Sequence, residues 1–127
     1  MKDPWSPQKE ELLQWAFDAD LPWPEQDFDL AVSDMLFADI ILELAADNHC
    51  PKQPFFLSCA YLIVGDAVRT NFEVCSRTDI QHFLSRAVQT SNQYLVTLAE
   101  RSYLLIQSPE TFDYEQWCGG GLADAEF

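Results

Sequence analysis

The chain has 127 residues, of which 48% are hydrophobic and 13% aromatic, and it carries a formal net charge of −14. That length fits one domain, and this hydrophobic fraction is enough to build a core, which excludes a chain that is disordered throughout. The strong negative charge argues against nucleic acid and anionic membrane surfaces as partners, because their phosphates would be repelled.

The front of the chain predicts two helices separated by a loop. The first helix is predicted over about residues 6–19, with Ser6 as its N-cap and Pro7 at its first helical position. The segment DADLPWPEQDFD, residues 18–29, contains two prolines and five acids and predicts a loop. The second helix is predicted over about residues 27–47. Its apolar residues lie on all sides, so it is either central or it shows an apolar face to a partner.

Three further helices follow. The third, over about residues 53–72, is again apolar on all sides. The fourth has Ser76 or Thr78 as its N-cap and a clear apolar stripe, and the fifth opens at Ser91 or Asn92.

These elements predict an all-α fold. The second and third helices form one antiparallel hairpin and the fourth and fifth another, so that with the N-terminal helix they give a compact bundle of about five helices. The longest nearly apolar run, residues 55–68, contains Asp66 and is shorter than the roughly 20 residues of a membrane span. We expect a single domain over residues 1–117 and a flexible, Gly-rich acidic tail over residues 118–127.

The negative charge is unevenly spread along the sequence. Residues 1–50 hold twelve acids and two bases, residues 51–108 hold four acids and five bases, and residues 109–127 hold five acids and no base. Such an acidic front favours a protein partner with a basic surface. The alternative is that the charge only keeps the chain soluble.

Asp66 and Arg69 interrupt the most apolar helix three residues apart, so their side chains can meet. We predict a buried ion pair that fixes the register of the helices, with Asp39 and Glu43 of the preceding helix as further partners. Gly65 beside the pair would let another helix approach closely. The alternative is a carboxylate cluster for acid–base chemistry or metal binding.

The segment RTDIQH, from Arg77 to His82, resembles the short RNase motif of the HEPN family, whose members are also all-α. The resemblance covers six residues, and Thr78 stands where the family prefers Asn, Asp or His. It implies that Arg77 and His82 are catalytic residues that meet at a dimer interface and cut RNA. The helical stripe places His82 toward solvent, and the acidic front would repel RNA.

The four cysteines, at positions 50, 59, 75 and 118, include no CxxC pair, and the N-terminus shows no secretory signal. We therefore expect four free thiols in a cytoplasmic protein. His49 beside Cys50 lacks the close ligand pairs of a zinc site, so no metal is expected. No Gly-rich loop precedes a helix and no nucleophile elbow is present, so no cofactor is expected either.

The most economical function for this sequence is binding to another protein, such as the basic site of an enzyme that an inhibitor or immunity-type protein covers. The HEPN-like RNase and a stand-alone helical domain without enzymatic activity remain as alternatives, and the apolar second and third helices leave a homodimer open. The predicted binding residues lie in the front loop, where the alternative for Trp23 is packing back onto the second helix. They are Asp18, Asp20, Trp23, Glu25, Asp27 and Asp29.

Overall fold

The structure is a computed structural model, and it describes residues 8–18, 32–113 and 117. Within these residues the fold is all-α and contains no strand, which confirms the predicted class. The helices are α1 (Lys9–Ala16), α2 (Ala38–Ala46), α3 (Gln53–Arg69), α4 (Arg77–Gln89) and α5 (Gln93–Gln107), and two short 3-10 helices cover Met35–Phe37 and Pro109–Thr111.

The helices pack in the predicted pairs. Helix α2 makes its most extensive contacts with α3, and α4 makes its most extensive contacts with α5, while α5 also packs on α3. Short turns join the members of each pair, so the two helix hairpins form one bundle around a shared core. In the described ranges no helix combines the length and the hydropathy needed to cross a membrane.

Helix α3 is the centre of the bundle. Thirteen of its seventeen residues are buried, including Phe56, Tyr61 and Val64, which are almost completely enclosed. Helix α2 is buried to a similar degree and exposes only Asp39 and Glu43. Within their observed bounds these two helices therefore show no open apolar face, because the folded chain itself covers both.

Two predicted helix boundaries are wrong at the front of the chain. Gln8 is the N-cap of α1, with an extended backbone (φ −92°, ψ 154°), so the helix begins at Lys9 and ends at Ala16 rather than spanning residues 6–19. The backbone N–H of Gln8 donates to Glu11 Oε1 at 3.1 Å, which closes the first turn. The helix predicted over residues 27–47 is broken at Asp34.

The break has a local cause. Asp34 has an extended backbone (φ −137°, ψ 142°), and its carboxylate accepts a hydrogen bond from the Leu36 N–H at 2.9 Å. Short acidic side chains compete in this way with helical hydrogen bonds and favour cap positions. Asp34 therefore starts a new helical segment, Met35–Phe37, which continues directly into α2.

The later helix ends follow the sequence more closely. Helix α3 stops at Arg69 rather than at Phe72, because Asn71 and Phe72 adopt positive φ values of 54° and 63°. The predicted N-caps Ser76 and Asn92 are confirmed. Ser76 Oγ accepts from the Asp79 N–H at 3.1 Å, and Asn92 Oδ1 accepts from the Tyr94 N–H at 2.9 Å.

Trp117 completes the core from the end of the chain. It is 6% exposed, and its indole Nε1–H donates to the backbone carbonyl of Tyr61 at 2.7 Å. The guanidinium of Arg101 lies over both aromatic rings, 5.2 Å from the ring of Tyr61 and 4.9 Å from that of Trp117. Gly65 was expected to admit another helix. It instead admits Trp117, since a Cβ atom at position 65 would lie 2.9 Å from Trp117 Cδ1.

Candidate binding surfaces

The Asp66–Arg69 ion pair exists, but it lies at the surface. Arg69 Nη2 is 3.3 Å from Asp66 Oδ1, and the two side chains are 57% and 33% exposed. The prediction of a buried pair is therefore wrong. The pair occupies the last turn of α3, where the side of the helix that carries it turns toward solvent.

Because the Asp66–Arg69 pair is exposed, we expect its removal to have a small effect on the free energy of unfolding. We expect Asp66→Ala to lower the free energy of unfolding by less than about 1 kcal/mol, because solvent screens an exposed ion pair. Urea denaturation monitored by circular dichroism would measure it, with Asp66→Asn as the isosteric control. A loss of about 3 kcal/mol or more would mean that Asp66 is buried in solution.

Asp39 and Glu43 do not join Asp66. The carboxylate of Asp39 forms an ion pair with Arg86 of α4, although its side chain is 75% exposed. Glu43 is exposed one turn further along α2. The predicted network around Asp66 is therefore not formed, and no group of three His, Cys, Asp or Glu side chains that could hold a metal ion occurs in the described part of the chain.

A small cleft beside the ion pair has a volume of about 180 Å³ and is lined by Asp34, Asp66, Arg69 and Cys75 among others. Burial raises the pKa of the Cys75 thiol, and the nearby carboxylates of Asp79 and Asp34 raise it further. The thiol is therefore protonated at neutral pH. A protonated thiol is a weak nucleophile, so the cleft does not have the electrostatics of a cysteine-based active site.

Arg77 and His82 are both exposed on α4. The guanidinium of Arg77 lies 4.4 Å from the centroid of the Phe72 ring. Five positions along a helix turn the side chains about 140° apart, so this chain alone does not bring them together. In the resembled family the pair meets across a dimer interface, and that alternative stays a prediction for two copies of the chain.

Of the predicted binding loop, only Asp18 lies within the described residues. Its side chain is half-buried, and its backbone carbonyl accepts a hydrogen bond from Lys52 Nζ. The other predicted binding residues lie outside the described residues; they are Asp20, Trp23, Glu25, Asp27 and Asp29.

Five of the seven basic side chains are used for contacts within the chain. Lys52 Nζ donates to the Trp15 carbonyl at 3.2 Å and lies 4.5 Å from the centroid of the Trp15 ring. All four arginines are likewise engaged, either with a carboxylate or over an aromatic ring; they are Arg69, Arg77, Arg86 and Arg101.

Many carboxylates of the described residues, by contrast, point to solvent without a basic partner. Exposed acids lie on α2, on α5 and in the two segments that follow α3 and α5; they include Glu43, Glu73, Glu100 and Glu110. In the described part of the chain, many acidic side chains are therefore exposed and unpaired, whereas most basic side chains make contacts within the chain.

Cys50, Cys59 and Cys75 form no disulfide bond with one another, while Cys118 lies outside the described residues. Cys50 is buried, and its Sγ lies 3.6 Å from the Ala16 carbonyl. Burial raises its thiol pKa more than a hydrogen bond from the Lys52 backbone lowers it. His49 next to it is exposed in the turn after α2. This arrangement fits a thiol that fills space in the core.

A larger cleft of about 710 Å³ lies where the turn between α2 and α3 meets the turn between α4 and α5. Both α3 and α5 begin at this cleft. Among the described residues its lining contains four side-chain amides and no charged side chain; the amides are those of Asn48, Gln53, Asn92 and Gln93.

Hydrogen bonds hold three of the four amides of this cleft in place. Asn48 Oδ1 accepts from Gln53 Nε2 at 2.9 Å and from Asn92 Nδ2 at 3.2 Å. The same two donors also reach the last carbonyls of α2, those of Ala45 and Ala46, at 2.9 and 3.2 Å. The amides thereby satisfy the end of α2 and join the two turns.

Comparisons with protein families, with curated proteins and with solved structures found no match to this chain.

Proposed function

We propose that this chain is a protein-binding domain that covers a basic surface of its partner, as an inhibitor or an immunity-type protein does. The observation that carries the proposal is the unequal use of charge. All four arginines and Lys52 are held in contacts within the chain, whereas exposed carboxylates on several elements have no basic partner in the described ranges.

This arrangement suits electrostatic recognition. A protein with a net charge of −14 attracts basic surfaces over a distance of about one Debye length, roughly 10 Å at 0.1 M salt. Complementary charge of this kind raises the association rate and selects against acidic partners. The acidic residues of the front loop, Asp18 to Asp29, add five carboxylates to the same field.

The proposal predicts association that depends on salt and on the front of the chain. A partner captured from the native host would be purified, and its association rate measured by stopped flow at increasing salt. We expect the rate to fall steeply above about 0.1 M salt. We expect the triple variant Asp18→Asn, Asp20→Asn, Asp29→Asn to slow association about tenfold, and circular dichroism would check that the variant remains folded.

A matched variant separates a local effect from net charge. The changes Glu73→Gln, Glu100→Gln and Glu110→Gln remove the same charge from other exposed positions, and we expect them to slow association less. Equal slowing by both variants would show that only net charge matters. Capture of neutral or acidic partners alone, or binding that is indifferent to salt, would contradict the proposal.

A further inference from the structure

We propose that the amide-lined cleft between the turns before α3 and α5 is a binding site for a neutral, polyhydroxylated ligand of the saccharide class. The proposal concerns a different surface from the acidic one and does not depend on the protein-binding function. It starts from the size of the cleft, about 710 Å³, which lies in the range of small-molecule sites in proteins.

The lining determines the charge of the ligand. None of the described residues that line the cleft carries a charged side chain. A charged ligand would lose hydration there without gaining an opposite charge, and an anion would also be repelled by the net charge of −14. The site therefore favours an uncharged ligand.

The lining also determines the hydrogen bonding of the ligand. A side-chain amide carries both donors and an acceptor, which matches a hydroxyl group, since a hydroxyl both donates and accepts. The amide hydrogens of Gln53 and Asn92 are already donated within the chain, so the amide of Gln93 is the one that a ligand would meet. Gln93 at the start of α5 is exposed, and Ser91 adds a hydroxyl beside it. Pro54 and Tyr94 also line the cleft, and both residues carry the kind of apolar ring that the C–H face of a sugar ring would require.

The floor of the cleft is organised before any ligand arrives. Asn48 is fixed by two hydrogen bonds, from Gln53 and Asn92, and Gln53 is only 7% exposed. Ordering these side chains therefore costs little on binding, which is the physical basis of preorganised recognition.

The test is a titration of the full chain, labelled with ¹⁵N, followed by NMR. The probes are glucose, galactose, mannose, N-acetylglucosamine and their disaccharides, up to about 50 mM, well above the millimolar Kd of a weak site. We expect at least one of them to shift the amide signals of residues 48–54 and 91–94 saturably. The shifts should be unchanged by added salt, because no ionic contact is involved.

Two variants make the test specific. Gln93→Met keeps the size of the side chain but removes its hydrogen-bonding groups, and we expect it to weaken binding about tenfold. Gln107→Met makes the same change at an exposed position of α5 away from the cleft, and it should have no effect.

Three outcomes would overturn the proposal. One is the absence of saturable shifts at the cleft with every neutral saccharide. Another is salt-dependent binding of sulfate in the cleft, which would assign it to anions at the two helix N-termini. The third is a response only to the blocked dipeptide N-acetylglycine methylamide, which would assign the cleft to a peptide backbone.

Discussion

Replacement of Trp117 by alanine is expected to lower the free energy of unfolding by about 3–5 kcal/mol. The indole is 6% exposed and packs edge-to-face on Tyr61 with ring centroids 5.1 Å apart. Its removal leaves a cavity against α3, takes away the donor to the Tyr61 carbonyl, and strips one ring from beneath the Arg101 guanidinium. The changes act at one place, so their costs combine.

Urea denaturation of the full chain would measure this loss. Trp117→Phe is the informative companion, because it keeps most of the apolar volume but removes the N–H, and we expect it to cost less than the alanine variant. Tyr103→Ala is a matched control, since Tyr103 is an aromatic residue that is 41% exposed on α5. A loss below about 1 kcal/mol for Trp117→Ala would show that the indole is not part of the core.

Structural features that depend on residues close together in the chain could be predicted from the sequence. Ser76 and Asn92 are N-caps because their side chains reach the backbone two or three residues ahead, and such contacts are visible in the sequence alone. The helices that begin after these two N-caps are predicted by the periodic spacing of their apolar residues. The break at Asp34 uses the same chemistry. The sequence does not reveal this break, because the apolar residues on both sides of Asp34 continue the helical pattern.

Contacts that join distant parts of the chain could not be predicted in this way. Asp39 finds Arg86, which is 47 positions away, and the indole of Trp117 donates to the carbonyl of Tyr61, which is 56 positions away. No local pattern marks either pair. Asp66 and Arg69 meet as their spacing predicts, but their exposure depends on where α3 ends relative to the rest of the bundle.

The amide-lined cleft illustrates the same limit. The turn sequences NHCPKQP and SNQY each contain side-chain amides near a helix start, which is an ordinary composition for a turn. Their meeting depends on the packing of one hairpin on the other. The hydrogen bond from Asn92 to Asn48 spans 44 positions of the sequence. The sequence feature that points to the cleft is the presence of side-chain amides in both turns. It identifies a cleft only when the two turns are known to be in contact.

Replacement of Gly65 by alanine is expected to destabilise the protein, although alanine is the better helix former by about 1 kcal/mol. The added Cβ would lie 2.9 Å from Cδ1 and 3.1 Å from Nε1 of Trp117, and these ring atoms belong to a buried side chain that cannot move aside freely. Overpacking of this kind costs about 1–3 kcal/mol and exceeds the gain in helix propensity.

The same replacement should have the opposite sign when Trp117 is absent. In a Trp117→Ala background the nearest remaining contact of the Cβ is Phe112 Cε2 at 3.5 Å, an ordinary van der Waals distance, so Gly65→Ala should stabilise that variant by about 0.5–1 kcal/mol. A double-mutant cycle by urea denaturation measures the coupling between the two positions. Ser58→Ala on the same helix is the control, and its effect should add to that of Trp117→Ala within about 0.5 kcal/mol. If Gly65→Ala changed stability equally in both backgrounds, the close approach of the indole to α3 would be ruled out. If Gly65→Ala destabilises the native protein but stabilises the Trp117→Ala variant, the packing of the indole requires glycine at position 65, although the helix itself would favour alanine.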